Sequence, residues 1–458
     1  MSVEAPSFGY LNSVDAANLA LEAFRRAAQR VPAYRTLLAE AGIQASQIIR
    51  PDDFARLPIL EKKSTFQRFP IAQLCQEGEL GPLAAVLTSS GHSGIFAYGL
   101  TERGALAEMT KGTDLLLDII FQVKSRPALL INCLPMGVKV FTEACTLAET
   151  SVRPDMAVAL VRTFARHYAQ IILVGETAFI KRVLELGTQA GVDWKSLLVH
   201  VIVGEEPLAE NGRKHLETTL GIGAPSTTEG IVVSSMGIAE FGLNLFFEAP
   251  PGTALIALRR LLHENRACRE AVLGASDWVP CLFTYDPRRI FVEFSADGQL
   301  ILTTLDAERR LPLIRYAPGD HGRFVHLPVE VRPAMEAAGI SWELLQAIPI
   351  VAIEGRGSHA LAGTSPVYPE AVKEGLYHDP TLAALITANF RLVSGPERAR
   401  IRIQLSPGIN PDPTLAGKFH AAIASYVRAP VEITCEAYET FGDGMALDYE
   451  RKFSYLGK

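Results

Sequence analysis

Three short apolar runs constrain the fold of this chain more than any other feature. ALLINCLP (128–135), AQIILVG (169–175) and LLVHVIVG (197–204) are each followed by polar or glycine punctuation, with helical stretches between them. A strand buried on both faces needs a continuous apolar run, and runs that alternate with helices give the rhythm of an α/β sheet covered on both sides. Ligands of such sheets sit at the carboxyl ends of the strands, so function is sought just past each run.

The flanking segments have other periods. Ala16, Leu19, Ala20, Ala23, Ala27 and Val31 recur at helical spacing behind a candidate cap at Ser13, and Pro32 interrupts the pattern. RIFVEFSADGQLILTTL (289–305) carries two alternating runs around Asp297-Gly298, which predicts an antiparallel hairpin with a type I′ turn. After Gly355 the sequence offers a helix from Pro369 to Tyr377, alternating strands in ARIRIQL (399–405), a helix from about Thr414 to Val427 and a strand in VEITCEAY (431–438). That is a small α+β unit, and no internal repeat is present.

Composition sets the bounds. The 458 residues are 48% hydrophobic and 21% charged, enough apolar mass for a large core and a further small domain. With 44 Lys+Arg against 50 Asp+Glu the net charge is −6, which argues against nucleic acid or an anionic membrane as partner. The start, MSVEAPSFGY, has neither a basic nor an apolar leader region, and no stretch approaches a membrane span, so a cytoplasmic location is the expectation. Cys75, Cys133, Cys145, Cys268, Cys281 and Cys435 are scattered without a CxxC pair and read as core thiols.

TSSGHSG, Thr88 to Gly94, follows an apolar stretch and is nearly all hydroxyls and glycines. Such a loop makes either an ordinary polar turn or an anion-binding concavity of free backbone N–H groups. The P-loop pattern fails: Gly94 and Gly99 have its spacing, but Leu100 stands where the phosphate-gripping lysine belongs. GIGAPS (221–226) lacks the third glycine of a dinucleotide fingerprint.

Further stretches follow in a telling order: GEEPL after the third apolar run, then SSMGIAEFG, LPLIRYAPGD and IEGRG, with LPILEKKSTFQRFP ahead of the hydroxyl loop. Together they resemble the adenylate-forming acyl ligases, most closely the phenylacetate–CoA ligase branch, which typically carries TSSGTTG, GAEP, an aromatic–Gly–x–[ST]–Glu loop, PLIRYRTGD and a GR-containing hinge. The likeness runs from about Asp53 onward. It implies an α/β fold with a large N-terminal adenylate-forming domain whose sheets are covered by helices, residues 1–354, and a small mobile α+β C-terminal domain, residues 355–458.

The resemblance also implies roles. Thr88, Ser89, Ser90, Gly91, His92, Ser93 and Gly94 would wrap the ATP phosphates, with His92 where the family usually has Thr. Gly204, Glu205, Glu206 and Pro207 would line adenine, opposite Met236, Gly237, Ile238 and Ala239, with Met236 replacing a stacking aromatic. Glu240 would hold Mg²⁺, a hard cation that takes one or two protein carboxylates. Asp320 would accept from the ribose hydroxyls, Arg356 would sit near ribose and phosphate, and Arg315 falls in the same motif. Lys452 aligns best with the catalytic lysine, ahead of the terminal Lys458. Met136, Phe141, Phe241, Leu243 and Phe246 are candidates for an acyl pocket suited to an aryl acid, and Lys139 for a second acidic group.

Some positions depart from the pattern. Ser358 and His359 replace the expected acidic residue after GR, although Gly363 and VYPE fit, and YAPGD lacks the arginine of YRTGD. Three readings stay open. The first is ATP-dependent adenylation of a small-molecule acid, followed by transfer to coenzyme A or a carrier-protein thiol. The second keeps adenylation with a non-thiol acceptor or an unusual oxyanion, and the third is a silent homologue. A homodimer is compatible with the sequence and not demanded by it.

Overall fold

Pro32 divides the N-terminal helix rather than ending it. In the computed structural model, which describes residues 13–89, 94–135, 138–249, 252–356, 360–361, 367–395, 398–442 and 455–456, α1 (Ser13–Arg30) is followed at once by α2 (Pro32–Glu40). Proline occupies the first turn of α2, where its missing N–H costs nothing. Ala20, Ala23, Phe24 and Ala27 of α1 are buried in one core with Tyr34 and Leu38 of α2. An antiparallel hairpin, β1 (Leu83–Thr88) and β2 (Tyr98–Glu102), then carries the start of the hydroxyl loop, with Thr88 paired to Tyr98. It leads directly into α3 (Arg103–Phe121).

The apolar runs form the middle of a six-stranded sheet. β3 (Ala128–Asn132), β4 (Thr146–Glu149), β5 (Gln170–Gly175), β6 (Val199–Val203) and β7 (Val232–Ile238) run parallel in the order β4-β3-β5-β6-β7, and β8 (Gly242–Phe247) adds antiparallel beside β7. Every residue of β3 and β5 is buried. Alternate side chains go to opposite faces, as a pleated strand requires. Leu129, Ile131, Leu173 and Val201 pack against α4 (Pro154–Phe164), α5 (Thr177–Gln189) and α6 (Glu210–Leu220). Leu130, Ile172, Val174 and Val233 face α3 and α7 (Ala254–Glu264).

A second layer brings two distant segments together. β9 (Cys281–Phe283) precedes the hairpin of β10 (Ile290–Phe294) and β11 (Leu300–Thr304), and β12 (Asp320–Phe324) and β13 (Val351–Arg356) join β9 in the order β12-β13-β9. The pairing of β12 with β13 sets Asp320 opposite Arg356. The hairpin turn is not the two-residue type I′ expected. Gly298 N–H bonds the Ser295 carbonyl, Ser295 pairs with Gln299, and only Gly298 has positive φ (84°), which is a type I turn closed by a glycine bulge. Asp297, unlike glycine, avoids the left-handed region that type I′ would require.

The C-terminal unit has its own core, centred on Val372, Phe390, Ile401, Ile403 and Phe419. β14 (Ile386–Val393) and β15 (Ala399–Leu405) pair antiparallel, and β16 (Val431–Glu436) pairs parallel to β15. The helices Pro369–Leu376 and Pro413–Ile423 fall where the sequence expects helices, the second ending about one turn early. β14 has no counterpart in the sequence reading. Its alternation is broken where the ladder shifts register between Ile386 and Phe390, with Ala388 at φ 75°. Among the described residues no helix is long and apolar enough to cross a membrane, and all six cysteines are free thiols.

The C-terminal unit is bound to the body through buried charges. Lys373 Nζ lies 2.6 Å from Glu206 Oε2, which also accepts the Tyr455 hydroxyl at 2.6 Å. Burial alone would raise the Glu206 pKa, but the Lys373 ammonium and these hydrogen bonds hold it below the ordinary carboxylate value. The two oxygens of Glu374 accept the backbone N–H groups of Glu210 (2.7 Å) and Asn211 (3.0 Å) at the start of α6. The Glu206 contribution to stability is present above the unfolded carboxylate pKa and is lost as pH falls through the depressed folded value. Lys373→Met should cost about 3–5 kcal/mol by stranding that carboxylate, and Glu206→Gln in the same chain should restore most of it. Urea unfolding at neutral pH, repeated through the acid range, checks both the loss and its pH dependence.

Candidate active site

A cavity of about 210 Å³ opens at the carboxyl ends of the central strands. β1 contributes Thr88 and Ser89 to its wall, and the end of β6 contributes Gly204 and Glu205. Gly237, Ile238, Ala239 and Glu240 come from β7 and the turn after it, and Arg356 from the end of β13. Phe141 and Leu243 also line it, and the exposed Lys139 lies at its edge. Gly99 lets these walls meet, because a Cβ there would stand 1.8 Å from the Ala239 carbonyl oxygen. Ser89 is fixed by its hydroxyl, which accepts from Ala97 N–H at 2.9 Å. Gly94 has φ 75°, a backbone that suits glycine.

Not every residue singled out by sequence reaches the cavity. Ser90, Gly91, His92, Ser93, Met136, Ser358, His359, Gly363, Lys452 and Lys458 lie outside the described residues. Glu206 turns from the cavity toward Lys373, because a buried carboxylate is held by the nearest cation. Pro207 follows it beyond the cavity wall, and Met236 packs instead against the core beneath β7. Phe241 and Phe246 are buried core residues rather than pocket walls, with the Phe241 ring 6.1 Å from that of Tyr316. Arg315 is structural: it pairs with Glu293 at 3.2 Å and donates to the carbonyls of Ala55 and Leu57.

Glu240 is the most constrained charge in the site. It is 2% exposed, its Oε1 accepts the Tyr316 hydroxyl at 2.7 Å, and Lys62 Nζ stands 3.7 Å from the same oxygen. Behind it, Arg309 donates to the backbone carbonyls of Glu240 (2.6 Å) and Phe241 (3.0 Å), and burial pulls its pKa down to about 10. Burial likewise lowers the Lys62 pKa, partly offset by Glu240. Burial and the Glu240 charge both raise the Tyr316 pKa, so that hydroxyl stays a donor. The fit to Mg²⁺ is a matter of donor chemistry: a single hard carboxylate on a cavity wall suits an ion that takes its remaining ligands from phosphate and water. Among the described residues there is no cluster of three or more His, Cys, Asp or Glu that could hold a metal by itself.

Asp320 and Arg356 form the second charged pair, of which Arg356 lines the cavity and Asp320 lies behind it. Arg356 Nε lies 3.3 Å from Asp320 Oδ1, and Asp320 keeps the guanidinium firmly charged. The other oxygen, Oδ2, is buried and has no hydrogen-bond partner. A buried carboxylate oxygen without a donor is costly unless a ligand supplies one.

Lys62 is the site residue that sequence reasoning missed. Its signal is the Lys62-Lys63 pair in ILEKKSTF, upstream of the hydroxyl loop. Nothing in the sequence tells the cavity-facing Lys62 from the exposed Lys63.

No family model matches this chain, and no curated protein matches it. Its fold is shared with solved structures of 2-hydroxyisobutyryl-CoA ligase. The postadenylation state with 2-HIB-AMP gives a TM-score of 0.65 at 13% identity over 96% of this chain and 88% of that one. The same state with R3-HIB-AMP gives 0.64 at 14% identity over the same shares. An open conformation with 2-HIB-AMP and CoA gives 0.53 at 13% identity, over 97% and 91%. The fold shared with these structures is a large α/β body with a small C-terminal unit.

Tyr316→Phe keeps the ring that packs on Phe66 and Phe241 but removes the donor to Glu240. A lost hydrogen bond to a buried charge costs about 1.5–3 kcal/mol. Chemical denaturation should show that loss, with the circular dichroism of the folded state unchanged.

Proposed function

We propose that this protein adenylates a carboxylic acid with ATP, releases pyrophosphate, and passes the acyl group to a thiol of coenzyme A or a carrier protein. The observation that carries the reading is the buried, unpartnered Asp320 Oδ2, one residue in from the cavity behind Arg356, the member of the pair that lines it. An acceptor-only carboxylate held by one cation and lacking donors suits the vicinal hydroxyls of a ribose. The phenylacetate–CoA ligase-like character of the motifs and the fold shared with 2-hydroxyisobutyryl-CoA ligase support it.

In this reading one oxygen of the acid attacks the α-phosphorus of ATP, the bond to pyrophosphate breaks, and an acyl adenylate forms. Catalysis is then positioning and charge neutralisation. Residues 88–94 cradle the leaving phosphates, Gly204 and Glu205 face adenine across from Ile238, and Asp320 holds the ribose. Glu240 would hold Mg²⁺, which would supply charge neutralisation to the phosphates. Lys62 is close enough to that carboxylate to balance it until the cation arrives. Lys452 is assigned to the adenylation step, on a C-terminal unit of residues 355–458 that moves against the body, residues 1–354.

A second reading keeps adenylation and changes the acceptor, favoured by Ser358 and His359 where an acidic residue is the pattern. Trapping the acyl group with coenzyme A, a carrier protein or an amine separates the two. Asp320→Asn should weaken ATP binding about 10- to 100-fold, the worth of one charge-assisted hydrogen-bond pair. Calorimetry on the folded variant is the check, and unchanged affinity would remove Asp320 from the nucleotide site. Glu240→Gln should raise the Mg²⁺ concentration needed for half-maximal pyrophosphate release, read by titrating Mg²⁺ at fixed ATP.

A further inference from the structure

The cavity does not stop at the polar residues of its mouth. Met109, Thr113, Leu116, Leu117, Ile120 and Phe121, spaced at i, i+4, i+7, i+8, i+11 and i+12 along α3, all line it. A stripe of that spacing ordinarily packs straight onto the neighbouring sheet. Here the cavity lies between the stripe and the sheet face carrying Leu130, Val174, Ile202 and Val233.

The direction of this space follows from the topology. α3 leaves the hairpin that bears Thr88 and Ser89, so its start is near the polar mouth. Its end is tied to the opposite edge of the sheet, because Gln170, the first residue of β5, donates to the Phe121 carbonyl at 3.0 Å. The helix therefore runs antiparallel to the strands with the cavity along it. Met109 to Phe121 spans about 18 Å at 1.5 Å per residue. Across the gap, Leu130 to Leu134 spans about 13 Å of extended chain.

The walls ask for an apolar occupant. The Thr113 hydroxyl donates back to the Met109 carbonyl at 3.1 Å, and the Ser235 hydroxyl donates to Asn244 Oδ1 at 3.0 Å. Neither is directed at a ligand, and the deeper residues are almost all aliphatic. A planar aryl acid would occupy only the upper part of such a space.

We infer that this space is an acyl channel and that the acid has a straight, unsubstituted aliphatic chain of medium length. The inference rests on the adenylation reading for the position of the carboxyl group at the mouth, and it replaces the aryl acid expected from sequence. An extended chain advances about 3.5 Å per three bonds, so about ten carbons fill some 12 Å of channel. Each methylene buried is worth about 0.8 kcal/mol, or about fourfold in affinity.

The test uses the full chain and two separate readouts, calorimetric binding and ATP-dependent pyrophosphate release. The acids are butyrate, hexanoate, octanoate, decanoate and phenylacetate. Binding should tighten about 15-fold for each two methylenes up to decanoate, and phenylacetate should bind more weakly than octanoate. Ile202→Phe, which adds bulk midway along the sheet wall, should move the preferred acid at least two carbons shorter. Thr113→Trp, from the helix wall, should do the same and serves if the first variant does not fold. Decanoate binding no tighter than butyrate, phenylacetate binding tightest, or a chain-length profile unmoved in a folded variant would each overturn the channel. Tight decanoate binding without pyrophosphate release would leave the channel standing and overturn adenylation. Pyrophosphate release with phenylacetate alone would do the reverse.

Discussion

A buried lattice of two arginines and two glutamates holds the parts of this structure in register. Arg213 of α6 bridges Glu210 (2.9 Å) and Glu248 (2.6 Å), and Arg259 of α7 approaches Glu248 at 3.4 Å and Glu210 at 3.7 Å, all essentially out of solvent. Glu248 also accepts the Ser234 N–H of β7 at 2.6 Å. Charges this deep contribute little net stability when complete and cost several kcal/mol when one partner is missing. Their effect is to fix one arrangement of α6, α7 and β7, and β7 ends at the cavity.

From that lattice the same physics extends to the C-terminal unit. Glu210, a member of the lattice, begins α6, and its backbone N–H is satisfied by Glu374 from the other unit. Two strand-end glutamates in succession divide their roles: Glu205 lines the cavity, whereas Glu206 anchors Lys373 and Tyr455. The C-terminal unit is thereby joined to the strand end that lines the cavity. A shift of that unit would strand Glu206, so position and protonation are coupled at this point.

The site itself is a balance of close approach and open space. Gly99 lets the β1–β2 hairpin touch the turn before Glu240, and Arg309 fixes that turn by its carbonyls. These contacts bring the polar groups together at the mouth, while the apolar stripe of α3 both lines the cavity and, through Leu117 and Phe121, joins the core on the sheet. A helix stripe and a channel wall need the same residues at the same spacing, which is why the channel was invisible in the sequence.

Local chemistry was legible in the chain: the buried strands from their unbroken apolar runs, and the cavity residues Thr88, Ser89, Gly204, Glu205, Glu240 and Arg356 from motifs in order. Those features depend on neighbours in sequence, through pleating, periodicity and backbone freedom. Tertiary structure decided the rest. It capped α6 with a carboxylate 164 residues away, chose Lys62 over Lys63, and sent Phe241 and Phe246 into the core. It broke β14 with a bulge, and it set Asp320 opposite Arg356 while leaving one of its oxygens without a donor. Each of these outcomes rests on which buried charge or apolar face meets which partner, and that is set by packing between segments distant in sequence.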